Sequence, residues 1–138
     1  MTAPTLRERL DGLARWIEVL EAPAFSPGHW VDSARNPDGS YSVPYFEYGS
    51  QALAFTSDCA RLGWVVPFDW MAWARTPDAA RLIREPVRLE AASADDLEKV
   101  LTTAIRGDRF SEGELAAAFE SGAILAVVRR ARVLAETA

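Results

Sequence analysis

The chain is poor in the residues from which most catalytic and metal sites are built. It contains one cysteine, Cys59, and one histidine, His29. A single cysteine excludes an intrachain disulfide and a thiolate-rich zinc site. A single histidine leaves little material for nucleophilic catalysis, because a general base near neutral pH is most easily a histidine. We therefore expect no catalytic residues, no metal site and no cofactor.

Long apolar runs and phosphate-binding motifs are also missing. The run from Ala123 to Val128 ends at Arg129, well short of a membrane span. No glycine-rich loop of the P-loop or dinucleotide-binding type occurs. The N-terminus lacks the basic-then-apolar order of a signal peptide. We expect a cytoplasmic protein that has no contact with a membrane.

The chain also lacks an excess of positive charge, since 20 acidic residues outnumber 15 basic ones and the formal net charge is −5. This balance argues against nucleic-acid binding, which relies on cations that neutralise phosphates. One alternative stays open, a helix-turn-helix regulator formed by two short helical segments that meet at Gly122. The residues that would lead its recognition helix, 122–125, have no side chain able to hydrogen-bond a base edge.

Helix signals dominate what the sequence does contain. Thr5 and Glu8 form a capping-box pattern, Ser93 is a typical N-cap, and Ser111 and Glu114 repeat the capping-box pattern. Each is followed by apolar residues at helical spacing. We predict a mainly α-helical fold, one compact domain over residues 1–138 with about six helices.

A short β-hairpin is predicted near residues 29–48. Asn36-Pro37-Asp38-Gly39-Ser40 is a strong turn sequence, and β-prone residues lie on both sides of it. An isolated hairpin is only marginally stable, so this one must pack against the helices.

A block near the C-terminus supports a resemblance to a known family. It reads Asp108-Arg109-Phe110-x-Glu112-Gly113-x-Leu115-Ala116-x-x-Phe119-Glu120-x-Gly122, and shorter motifs, Pro44-Tyr45-Phe46 and Phe68-Asp69-Trp70, accompany it. Together they resemble a bacterial family that is catalogued only as a domain of unknown function, from about Leu13 to Arg130. The resemblance implies a fold unit and no assigned activity.

Aromatic residues outside the regular helices are the best remaining place for a function, because binding residues concentrate in irregular segments. We favour a non-enzymatic interaction module in which the hairpin and an aromatic-rich connector, residues 64–73, bind a partner protein or a second copy of the chain. The alternative is a small-molecule or nucleotide pocket, hydrolytic in one version, that uses Asp69, Arg109 and Glu112. A purely structural alternative is that the rings pack the hairpin and the connector onto the helices. The predicted binding residues are Trp30, Tyr45, Tyr48, Asp69, Trp70, Arg109 and Glu112.

Overall fold

A computed structural model describes residues 2–138 of the chain. Within that range the chain forms eight α-helices, one 3-10 helix and one pair of strands. The α-helices are α1 (Leu6–Ala14), α2 (Ile17–Glu21), α3 (Ser50–Arg61), α4 (Trp70–Ala74), α5 (Pro77–Arg84), α6 (Ala94–Gly107), α7 (Glu114–Glu120) and α8 (Ala123–Ala135). The strands are β1 (Gly28–Val31) and β2 (Tyr45–Tyr48), and the 3-10 helix covers Pro86–Ala91.

Helix α8 is the centre of the hydrophobic core. It packs against α1, α2, α6, α7 and the 3-10 helix. Ile124, Val127, Val128 and Ala131 are all fully buried at its contacts. These positions repeat at steps of three and four, which puts one apolar stripe on several neighbours at once. Within residues 2–138, no helix combines the length and the apolar character needed to cross a membrane.

Trp64 joins the core to α1. Its indole is fully buried, and its Nε1 donates a hydrogen bond to the backbone oxygen of Arg9 at 3.1 Å. The Arg9 guanidinium lies 4.2 Å from the centre of the Trp64 ring and donates to the carbonyl oxygens of Leu62 and Gly63. This arginine therefore combines a cation–π contact with capping of the C-terminal end of α3.

The prediction of a mainly helical fold is confirmed, but the predicted number of helices is wrong. Eight α-helices form in the described residues rather than about six. The helix predicted after the Thr5 capping box is broken at Trp16 into α1 and α2. The backbone N–H of Trp16 donates to the Leu13 carbonyl oxygen in a tight i→i−3 pattern. Its indole donates to Asp58 at 2.9 Å and meets Phe55 edge-on. This break accounts for one of the two additional helices. The other is α4, whose first turn is capped by the side chain of Asp69.

The predicted hairpin is present. Strands β1 and β2 pair antiparallel, with Trp30 opposite Phe46 and Gly28 opposite Tyr48. The connection contains the predicted turn, in which Gly39 N–H donates to Asn36 O at 3.0 Å. Its Asp38 side chain accepts hydrogen bonds from Ser40, which lowers the pKa of that carboxyl. The turn is thus stabilised locally, as its sequence predicts.

Candidate functional site

The hairpin lies against the corner of the chain between α6 and α7, residues 108–113. Its inner face carries Trp30, Phe46 and Tyr48, because side chains alternate along a strand and cross-strand partners share a face. The Trp30 and Phe46 rings meet edge-on with centroids 5.5 Å apart, and Phe46 and Tyr48 are 4.7 Å apart. Tyr45 and Glu47 lie on the opposite, exposed face.

Tyr48 binds the hairpin to the start of α7. Its hydroxyl donates to Asp108 Oδ1 at 2.7 Å and accepts from the backbone N–H of Ala116 at 3.0 Å. The same Asp108 oxygen accepts from the N–H of Leu115 at 3.1 Å. Burial, followed by the hydrogen bond to Asp108, raises the pKa of Tyr48 far above its ordinary value. The phenol is therefore a permanent donor at physiological pH.

Glu112 and Gly113 complete this attachment. The backbone N–H of Phe46 donates to Glu112 Oε1 at 2.7 Å. Gly113 has a φ of +85°, and a Cβ atom at this position would lie 2.5 Å from Cζ2 of Trp30. The glycine is required twice, once for the left-handed backbone and once for the close approach of the indole ring. We call the contacts of Tyr48, Asp108, Glu112 and Gly113 the latch.

The predicted capping box of Ser111 and Glu114 does not form. Gly113 occupies the N-cap position of α7 and provides no side-chain bond. Asp108 takes over that role, because its carboxylate reaches the Leu115 N–H from the preceding helix end. The side chain of Glu114 packs against Gly107 instead, where there is room only because position 107 lacks a Cβ.

Helix α4 lies on the other side of the corner. Trp70 is half-buried and its ring centroid is 5.8 Å from that of Phe110. Phe110 itself is 72% exposed. The Asp69 carboxylate accepts from the Ala72 N–H at 3.1 Å, which is an ordinary N-cap of α4. Sequence reasoning missed Phe110 as a surface residue, although an aromatic between Arg109 and Ser111 in a turn is a usable signal.

The structure brings some of the predicted site residues together and separates others. Trp30, Tyr48 and Glu112 meet at the latch. Arg109 is exposed and lines a small cavity of about 190 Å³ beside Tyr48. Trp70 contacts the corner through Phe110. Tyr45 points away from the corner, and Asp69 lies at the start of α4.

The tryptophans do not share one environment. Trp64 is fully buried, whereas Trp16, Trp70 and Trp73 are half-buried. Trp30 is 50% exposed, and Tyr45 on the outer face of β2 is 46% exposed. We call one partly exposed set the aromatic face: Trp30, Trp70 and Phe110 near the corner, together with Tyr45 on the outer side of the hairpin.

The single cysteine and the single histidine of the chain have different surroundings. Cys59 is fully buried, and burial raises the pKa of its thiol strongly. His29 is exposed on the outer face of β1, with its Nε2 3.7 Å from a Glu47 carboxylate oxygen. Among residues 2–138, no group of three or more histidine, cysteine or acidic side chains could hold a metal ion.

The structure argues against the helix-turn-helix alternative. The residues at the start of α8, which would enter a DNA groove, include the buried Ala123 and Ile124. Two of the three arginines farther along α8 are engaged within the fold. Arg129 pairs with Glu21 at 2.8 Å, and Arg130 donates to the carbonyl oxygen of Ala92 at 2.7 Å.

Comparison with known proteins places the whole fold in one family. The model of a family of unknown function (DUF6508) matches residues 5–137. The chain belongs to this family. The resemblance inferred from the motifs is therefore confirmed, and the DUF6508 match extends beyond it at both ends. No curated protein and no solved structure matches the chain. Membership in DUF6508 assigns no activity to the chain.

Proposed function

We propose that the chain is a non-enzymatic interaction module whose aromatic face binds a separate protein that carries positive charge. One observation supports this most directly. Of the ten large hydrophobic side chains that are exposed in the described residues, six lie in the hairpin, α4 and the corner. They are Trp30, Tyr41, Val43, Tyr45, Met71 and Phe110.

The attachment of the hairpin gives this proposal its physical basis. Two hydrogen bonds of 2.7 Å hold β2 against the corner. The Tyr48 hydroxyl donates to Asp108, and the Phe46 N–H donates to Glu112. Aromatic side chains on a backbone that is already fixed lose less conformational entropy on binding than those on a mobile loop. Tyrosine and tryptophan are also enriched among the residues that dominate binding energy at protein interfaces.

Charge favours a separate basic partner over a second copy of the chain. Residues 24–49 contain Asp32, Asp38 and Glu47 against a single Arg35. The whole chain carries a net charge of −5, so two copies repel each other at long range. A cationic partner is attracted instead, and complementary charge at the rim accelerates association and sets specificity.

The alternative of a nucleotide or small-molecule pocket at Asp69, Arg109 and Glu112 receives less support. Asp69 already caps α4, and Glu112 already accepts the Phe46 N–H. The cavity beside Arg109 is lined by neither of those acids and has a volume of only about 190 Å³. Ligand pockets usually measure about 300–1,000 Å³.

Site-specific photo-crosslinking in the source cells tests the proposal. A photoreactive phenylalanine derivative is placed at Tyr45 or Phe110 in the full chain. Matched controls carry it at Val87 or Val133, which are 68% and 49% exposed but lie on the 3-10 helix and α8. The expected result is one partner protein that crosslinks from both positions of the aromatic face and from neither control.

The crosslinked partner is then purified and mixed with the unmodified chain. Direct association of the two pure proteins, weakened by added salt, is the expected result. The proposal is overturned if crosslinks form equally at the controls, if the product is a homodimer, or if the purified proteins do not associate.

A further inference from the structure

A second candidate site lies away from the aromatic face, between α5, α6, α7 and the start of α8. It is a cavity of about 330 Å³, within the range of about 300–1,000 Å³ that small-molecule sites occupy. Val100 and Ala104 of α6 and Ala118 of α7 form much of its apolar wall. None of the binding residues predicted from the sequence lines it.

Glu114 is the acidic group of this cavity. It lines the cavity from the first position of α7, and no ion pair forms with it among residues 2–138. Burial is the main cause that raises the pKa of its carboxyl, and the nearby charge of Asp108 raises it further. This carboxylate is half-buried and lies near a second acid, so it has lost part of its hydration. A bound cation can replace that lost stabilisation.

Thr103 provides a second unsatisfied polar group in the cavity wall. The residue is only 1% exposed, and its hydroxyl has no hydrogen-bond partner in the described part of the chain. Leaving a buried hydroxyl unpaired costs about 1–3 kcal/mol. Threonine in a helix occupies two χ1 rotamers, and the change between them redirects the hydroxyl. A ligand in the cavity can therefore gain a hydrogen bond that the empty fold lacks.

Arg84 also lines the cavity, and its positive charge would favour an anionic ligand. Its side chain is on the exposed rim, where water screens its charge. Glu114 is more buried, so its electrostatic interaction with a ligand is stronger per unit charge. The balance favours a cationic group at Glu114 over an anionic group at Arg84.

We propose that this cavity binds a small apolar molecule with a single ammonium group, which lies against Glu114 while the apolar part fills the space between α6 and α7. The site is independent of the aromatic face, and neither proposal needs the other.

Calorimetric titration of the full chain with three probes of one shape tests the ligand class. They are 2-phenylethylamine, 2-phenylethanol and 3-phenylpropionate. The amine is expected to bind at least about tenfold more tightly than the alcohol, and the carboxylate most weakly. Glu114→Gln should remove the preference for the amine. Glu120→Gln, an exposed acid on the same helix that does not line the cavity, should leave it unchanged.

A filled cavity provides the steric test. Ala118→Leu should abolish binding of both the amine and the alcohol. If that variant does not fold, Ala117→Trp on the exposed rim serves the same purpose. The proposal is overturned if the carboxylate binds best, if the amine does not bind at millimolar concentration, or if binding survives both the Glu114 substitution and the filled cavity.

Discussion

The surroundings of α8 and the aromatic face are built in different ways. Around α8 the side chains are aliphatic, branched and completely buried, as at Ile124 and Val127. On the aromatic face the side chains are large rings that remain half open to solvent, as at Trp30 and Phe110. The first region is held by apolar burial, and the second by a few hydrogen bonds to the corner.

The difference indicates which part of the fold is available for recognition. Burying a large ring completely stabilises a fold by a few kcal/mol, and a ring left half exposed gives up much of that gain. Several such rings concentrated on one small hairpin and its corner are poor stabilisers. They are well suited to an interface, where the remaining area is buried by a partner.

The largest expected effect comes from truncating the core ring Trp64. Trp64→Ala should reduce the free energy of unfolding by about 3–5 kcal/mol, because it leaves a cavity and removes the hydrogen bond to Arg9. Phe110→Ala should change it by less than about 0.5 kcal/mol, since that ring is 72% exposed. Urea denaturation of both variants checks this, and equal losses would contradict the distinction between the two regions.

The next effect is expected at Gly113, where the hairpin meets the corner. Gly113→Ala should cost about 2–4 kcal/mol, from the left-handed backbone together with displacement of the Trp30 ring. Gly39→Ala is the matched control, because its φ is +89° but nothing lies near its Cβ position. It should cost only about 1–2 kcal/mol. Chemical denaturation measures both, and equal costs would show that the contact with Trp30 contributes nothing.

A smaller effect is expected from the latch hydroxyl. Tyr48→Phe removes the donor to Asp108 and the acceptor for the Ala116 N–H, and should cost about 1–3 kcal/mol. Hydrogen exchange of residues 45–48 should accelerate, while that of α8 should change less. Tyr45→Phe removes an exposed hydroxyl from the same strand and should leave both quantities unchanged. Slow exchange of the hairpin in Tyr48→Phe would show that the latch is dispensable.

The smallest effect is the pH dependence contributed by Glu114. Because the folded state raises the pKa of this carboxyl above 4.5, its contribution to stability is fully present below pH 4.5. It is lost as the pH rises through the folded-state pKa. Relative to the wild type, Glu114→Gln should therefore gain stability as the pH rises above 4.5, while the difference between the two proteins stays constant on the acid side. A variant that loses stability relative to the wild type as the pH rises would mean that the sign of the shift is wrong.

Local features of the fold could be predicted from the sequence. The cap of α6 by Ser93 and the cap of α1 by Thr5 both form, since each depends on residues three positions apart. The turn at residues 36–40 follows for the same reason. The break at Trp16 could not be predicted, because its indole partner Asp58 is 42 positions away.

The candidate site was predictable only in its composition. Trp30, Tyr48 and Glu112 were expected to matter, and they do come together. What each one contacts depends on pairings such as that of Phe46 with Glu112, which are 66 positions apart in the chain. A single sequence does not specify such pairs. The exposure of Phe110 likewise depends on how the corner turns after Gly107.

We propose that the partner binds the aromatic face rather than another exposed apolar surface. The dissociation constant of the complex with the purified crosslinked partner tests it most directly. Tyr45→Ser with Phe110→Ser should weaken binding by at least about tenfold, or ~1.4 kcal/mol. Val87→Ser with Val133→Ser should leave it unchanged while the helical circular dichroism of both variants stays native. Equal affinities for the two double variants would contradict the account.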